Sequence, residues 1–126
     1  MINPCTMRKA VCILVFNEDG KILGVSRKND ATNFGLPGGK VDSGETEEQA
    51  VLRELLEETG LRIFDIRKVF EHTEDREYWT SCWSGRIEGS IHTNEAGVVR
   101  WVDKETLMRG AFGEYNRRLF KAMNLL

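Results

Sequence analysis

Five glutamates and one arginine crowd into thirteen residues, Glu47-Glu48-Gln49-Ala50-Val51-Leu52-Arg53-Glu54-Leu55-Leu56-Glu57-Glu58-Thr59. On a helix that turns about 100° per residue, Val51, Leu52, Leu55 and Leu56 fall on one side, the expected core face, and Glu47, Glu54, Glu57 and Glu58 gather on the other. Like charges three or four positions apart repel, and Glu57 and Glu58 lie near the C-terminal end, where the helix dipole also disfavours anions. The arrangement costs stability unless something positive binds there. Arg53, four residues before Glu57, can answer part of the charge, and a divalent cation can answer the rest. Hard oxygen ligands on a rigid helix, leaving positions open for water and phosphate oxygens, suit Mg²⁺, with Mn²⁺ as a substitute, rather than Zn²⁺. The competing reading is an ordinary solvated charged face.

The elements around this stretch decide what it can reach. Thr46 and Gln49 have the form of a capping box and Gly60 stands where a helix would end, so the spacing predicts a helix over Glu47 to Thr59. Before it runs Gly35-Leu36-Pro37-Gly38-Gly39-Lys40, where one proline and three glycines argue against regular structure and let backbone groups approach a ligand closely. Ala10 to Phe16 is an unbroken apolar run, read as a strand buried on both faces and closed by a turn at Asn17 to Gly20. A strand over Lys21 to Arg27 and a polar loop over Lys28 to Asn33 should follow. Leu61 to His72, Tyr78 to Arg86 and Val98 to Val102 read as strands. Asp103 is placed to cap a short helix through Met108. Phe112, Tyr115, Leu119, Phe120 and Met123 recur at helical spacing, as in a terminal helix packed on a sheet. Strands with interspersed helices point to the α/β class, a mixed sheet covered by helices.

With 126 residues, 40% hydrophobic and 30% charged, the sequence reads as one domain spanning 1–126. A formal charge of −2 argues against a protein that coats nucleic acid, so a phosphate partner must be met locally. Cys5, Cys12 and Cys82 show neither a disulfide framework nor zinc-ligand spacing, which fits a reducing compartment. No stretch is long and apolar enough for a membrane span, and Met1 to Lys9 lacks a signal core. The expected location is cytoplasmic. Oligomeric state is left open, a homodimer included.

The run Gly39, five residues, Glu45, seven residues, Arg53-Glu54-Leu55-Leu56-Glu57-Glu58-Thr59-Gly60-Leu61 fits every fixed position of the Nudix box. With its lead-in Leu36-Pro37-Gly38-Gly39-Lys40-Val41, the chain therefore resembles the Nudix hydrolases of the small, MutT-like kind. The resemblance implies a Nudix-type α/β/α sandwich with a mixed β-sheet and a Mg²⁺-dependent pyrophosphohydrolase. Such an enzyme cleaves a nucleoside diphosphate linked to another moiety: a nucleoside triphosphate, a damaged nucleotide or a dinucleoside polyphosphate. It implies that Glu54, Glu57 and Glu58 handle the metal, that a carbonyl of Gly39 or Gly38 adds a ligand, that Arg53 orients the cluster and that Glu45 supports the loop. By the same resemblance Glu95 is a further ligand or base from outside the box, ahead of its weaker competitor Glu88. Arg27 would meet a substrate phosphate, beside the loop residues Gly38, Gly39 and Lys40. Tyr78, 17 residues past the box, resembles a marker of dinucleoside polyphosphate hydrolases.

Chemistry then follows from charge. Cations must neutralise the diphosphate oxygens, and water deprotonated by Glu95, Glu54 or Glu58 attacks phosphorus in line. Tyr78 to Trp83, Trp101 and Phe34 could stack on a base or simply pack. His72 and His92 read as surface or turn residues. The expected partner is a small nucleotide, with no membrane. An RNA 5′ end is disfavoured by the neutral charge, and a diphosphate isomerase by the intact box. A non-catalytic nucleotide sensor or protein-binding module is the alternative from another class, and its usual sign, lost carboxylates, is absent.

Overall fold

The computed structural model describes residues 7–92 and 97–126. Seven strands and three helices follow one another as β1 (Arg8–Ile13), β2 (Ile22–Arg27), β3 (Asp30–Gly35), β4 (Gly38–Lys40), α1 (Glu47–Thr59), β5 (Arg62–His72), β6 (Tyr78–Glu88), β7 (Val99–Val102), α2 (Lys104–Met108) and α3 (Gly113–Ala122). One sheet has the order β4-β1-β6-β5, mixed because β1 and β6 run parallel while the other neighbours are antiparallel; the second is β3-β2-β7. The β1 chain joins them. Leu14 N–H still bonds the Trp83 carbonyl at 2.8 Å, and one residue on the Val15 carbonyl accepts from Leu23 N–H at 3.1 Å.

From Val11 to Val15 the apolar run is buried on both faces, as its composition predicts, while Phe16 at its end is exposed. Val11, Ile13 and Val15 pack with Ala50, Val51 and Leu55 of α1, while Cys12 and Leu14 pack with Leu107, Tyr115, Leu119 and Phe120 of α2 and α3. Helices therefore cover both sides of the strands in an α/β/α arrangement, the expected fold class. Among the described residues, no helix is long and apolar enough to cross a membrane.

Helix α1 has the predicted bounds and caps: Gln49 N–H bonds Thr46 Oγ1 at 3.1 Å, Thr46 N–H bonds Gln49 Oε1 at 2.9 Å, and Gly60 closes the helix in left-handed backbone.

Other expectations need correction. Lys28 to Asn33 is a polar loop only over its first two residues, because Asp30–Gly35 pairs antiparallel with β2 as an edge strand; an edge strand wet on one side carries little apolar signal. Gly38–Lys40, expected to be irregular, pairs with Ala10 to Cys12. The glycines permit the pairing, since a Cβ at Gly38 would lie 2.1 Å from the Val11 carbonyl oxygen. The first strand ends at Ile13 rather than Phe16, where the chain turns toward β2. Leu52 and Leu56 are 46% and 41% exposed instead of core, because the sheet covers only the narrower stripe of Ala50, Val51, Leu55 and Thr59. Asp103 precedes α2 but makes no side-chain cap, its carboxylate being paired with Lys21. Phe112 precedes α3 and is 59% exposed instead of packed on the sheet.

Candidate active site

Arg53 organises the acidic face. Its guanidinium donates to both oxygens of Glu45 at 2.7 and 2.9 Å, to Glu54 at 2.8 Å, to Glu57 at 3.3 Å and to the Lys40 carbonyl at 3.1 Å. The anticipated pair with Glu57 exists, but the shorter bonds go to Glu45 and Glu54. The hydrogen bond from Arg53, with a second from Asp42 N–H, holds the Glu45 carboxyl down at about 2. Glu45 is thus support, binding the 40–45 turn to α1. Arg53 is raised above its ordinary value, chiefly by its bond to Glu45.

Glu54 and Glu58 lie against β4. A Cβ at Gly39 would lie 2.6 Å from Glu54 Oε1, so the glycine leaves the space that this carboxylate occupies. Glu58 Oε1 accepts the Gly38 N–H at 2.8 Å. Burial pushes the Glu54 carboxyl up, and the charge of Glu57 adds to that; bonds from Arg53 and Glu58 pull the other way.

Among the described residues no trio of His, Cys, Asp or Glu side chains is gathered closely enough to hold an ion. Glu54 is turned to Arg53 and Glu58 to Gly38. The donor set nevertheless fits Mg²⁺ or Mn²⁺: hard oxygens alone, on one face of a rigid helix, with Glu54 and Glu58 set against the glycine strand. Glu95, the candidate from outside the box, lies outside the described residues.

Two clefts open on either side of β4 and share Leu36, Gly38 and Phe112. The first, of about 540 Å³, brings Arg27, Lys28 and Asn33 together with Glu58. The second, of about 580 Å³, is lined by Gly39, Lys40 and Tyr78, with Cys12 and Tyr115. Lys40 Nζ stands 5.7 Å from the Tyr78 ring centre, and the Tyr78 hydroxyl is held below its ordinary value mainly by a bond from Arg8. Arg27, Gly38, Gly39, Lys40, Glu58 and Tyr78 line the clefts and Glu54 and Glu57 bond Arg53, whereas Glu88, the weaker candidate from outside the box, pairs with Arg86 instead.

The aromatic set divides. Tyr78 lines a cleft, whereas Trp83 and Phe34 are buried and Trp101 packs on the core. Trp79 donates to Glu71 at 2.5 Å. His72 pairs with Glu74 at 3.6 Å, and His92 N–H bonds the Thr59 carbonyl; both match their surface reading. Sequence reasoning missed Phe112 and Tyr115 as cleft walls, taking both for packing residues. The signal for Phe112 was its setting in Gly110-Ala111-Phe112-Gly113, a glycine-flanked turn rather than a helix face.

A family model described as the NUDIX domain matches residues 6–123. An RNA pyrophosphohydrolase of Wolbachia sp. subsp. Brugia malayi (strain TRS) is 36% identical over 89 residues, 65% of this chain and 53% of that protein. A MutT-like protein of Streptomyces ambofaciens is 29% identical over 119 residues, 91% of this chain and 76% of that protein. The chain spans about half the length of the RNA pyrophosphohydrolases it matches. In three dimensions it resembles a chain from a structure and function study of MutT from Aliivibrio salmonicida and Vibrio cholerae. The TM-score is 0.75 at 25% identity, covering 96% of this chain and 100% of that one.

Proposed function

Because the chain belongs to the Nudix family, we propose that it is a cytoplasmic, Mg²⁺-dependent pyrophosphohydrolase that cleaves the diphosphate linkage of a nucleoside diphosphate bound to another moiety. The observation that carries this reading is the glutamate cluster of α1 set against Gly38 and Gly39, with Glu58 lining one of the two clefts that meet at Gly38.

Glu54, Glu57 and Glu58 would hold the divalent ion, with Glu95 and the Gly39 carbonyl as further ligands. The ion, when bound, screens the phosphate oxygens and makes water more acidic. Arg53 keeps Glu54 and Glu57 facing the loop and cannot itself give up its proton. Arg27 presents a planar fork of donors to one phosphate, and Lys40 a point charge to another. Gly38 N–H, already aimed at a carboxylate oxygen, can donate to a phosphate oxygen in its place. A glutamate (Glu58, Glu54 or Glu95) takes a proton from the attacking water. The new O–P bond forms as the anhydride P–O bond opposite it breaks, and the leaving phosphate carries the bonding pair away. No covalent link to the protein is needed.

The test is release of phosphate or pyrophosphate from a panel with Mg²⁺. The panel holds nucleoside triphosphates, damaged nucleotides, dinucleoside polyphosphates, ADP-ribose and a 5′-triphosphorylated oligoribonucleotide. Glu58→Gln, folded as the wild type, should lose about a hundredfold or more in kcat. Unchanged activity in that variant would remove Glu58 from the chemistry. A wild type that turned over nothing in the panel would reject the hydrolase reading.

A further inference from the structure

Phe112 is the most exposed of the large apolar side chains among the described residues, at 59%. The exposed part of the ring gains nothing from burial, while the rest of it forms a wall at the site. The turn that carries it is held firmly. Asn33 Oδ1 accepts the Ala111 N–H at 2.9 Å, and Asn116 N–H bonds the Phe112 carbonyl at 2.9 Å. The ring leans on bare backbone of β3, with its Cδ2 3.4 Å from where a Cβ at Gly35 would stand. Both clefts use it as a wall, the one that holds Glu58 and Arg27 and the one that holds Tyr78 and Tyr115. A molecule with phosphates at Gly38 and Glu58 and its other end in the aromatic cleft must therefore pass this ring.

We infer that Phe112 is a stacking surface for the substrate's base, and that it makes the site choose a phosphate bearing a planar base over one bearing only a sugar. The inference rests on the nucleotide reading of the site above. Asn33 is its positioning residue, since its side-chain oxygen accepts the Ala111 N–H and so fixes the turn that carries the ring. A flat, uncovered ring on a fixed turn stacks on any base at little entropic cost, and sugars offer it no π-face.

Calorimetric titration of the whole chain with AMP, GMP and ribose 5-phosphate, in the presence of Mg²⁺, tests this without turnover. The wild type should bind both nucleotides more tightly than the sugar phosphate. Phe112→Ala should weaken nucleotide binding roughly tenfold and leave ribose 5-phosphate unchanged, while Phe112→Tyr keeps the preference. Asn33→Ala should lose about a third to a half of that preference on a logarithmic scale, and Asn33→Asp, which retains the acceptor, should restore it. The inference is overturned if Phe112→Ala binds nucleotides as well as the wild type does. Equal weakening of nucleotides and ribose 5-phosphate overturns it too, as does a wild type that binds neither nucleotide. Base-selective binding through Phe112 in a chain that hydrolyses nothing would uphold the stacking role and refute the hydrolase.

Discussion

At Arg53 one guanidinium serves two stretches of chain, gripping Glu45 and the Lys40 carbonyl on the loop and Glu54 and Glu57 on the helix. A planar fork can reach all of these at once and an ammonium cannot, so Arg53→Lys should behave nearly like Arg53→Ala. Both should lower kcat at least tenfold in the phosphate-release assay while circular dichroism stays native. A variant with wild-type kcat would show that loop and helix keep their relation without the fork. The same contact makes stability depend on acid. Glu45 sits at about 2 when folded, against 4.5 for the free side chain. The folded form therefore binds its proton later, and the stabilisation is present above about pH 5 and lost as pH falls through that interval. Urea unfolding should show Glu45→Gln weaker than the wild type near neutrality and converging with it toward about pH 2. A constant gap across the range would mean that the charge of Glu45 is not what the contact uses. At this scale the glutamates, Arg53 and the glycines were legible because their types and spacing are local. Phe112 was not, because helical spacing alone does not say which side of a helix start a residue lies on.

Among the elements, α1 was readable to its last residue. Thr46, Gln49 and Gly60 are start and stop signals that act within one turn of chain and need nothing from the rest of the fold. Thr46→Ala removes one of the two reciprocal bonds and should cost about 1 kcal/mol in chemical denaturation. No measurable loss would mean that packing, not the box, sets the helix start. Strands β3 and β4 were hidden for the opposite reason. Asp30–Gly35 is polar because it forms a sheet edge, and Gly38–Lys40 is a strand only because Val11 offers partners 28 residues away in sequence at Gly39. Leu52 and Leu56 show the limit of the helical wheel, which gives the apolar arc but not how much of it the sheet will cover.

For the whole molecule, the crowded carboxylates set a test that needs no substrate. An ion that binds only the folded chain stabilises it by mass action, about 2.7 kcal/mol at a hundred times its dissociation constant. Mn²⁺ or Mg²⁺ should therefore raise the Tm of the wild type in scanning calorimetry and leave a Glu54→Gln, Glu58→Gln double variant where it was. An equal rise in both would place the ion elsewhere. A mixed sheet covered by helices could be foreseen from the interspersed strands and helices, and the α/β/α layering from the resemblance to the Nudix box. Its division into two sheets could not, since nothing in the apolar run marks where β1 passes from one to the other.

That passage has a kinetic consequence. Leu14 N–H is bonded into one sheet and the Val15 carbonyl into the other, with helices packed above and below. Neither sheet can peel away alone without exposing this rivet, so the Leu14 amide belongs to the last unit to open and should trade its proton for deuterium only through global unfolding. Breathing that admits a ligand is then left to parts outside this central thread, which stays still.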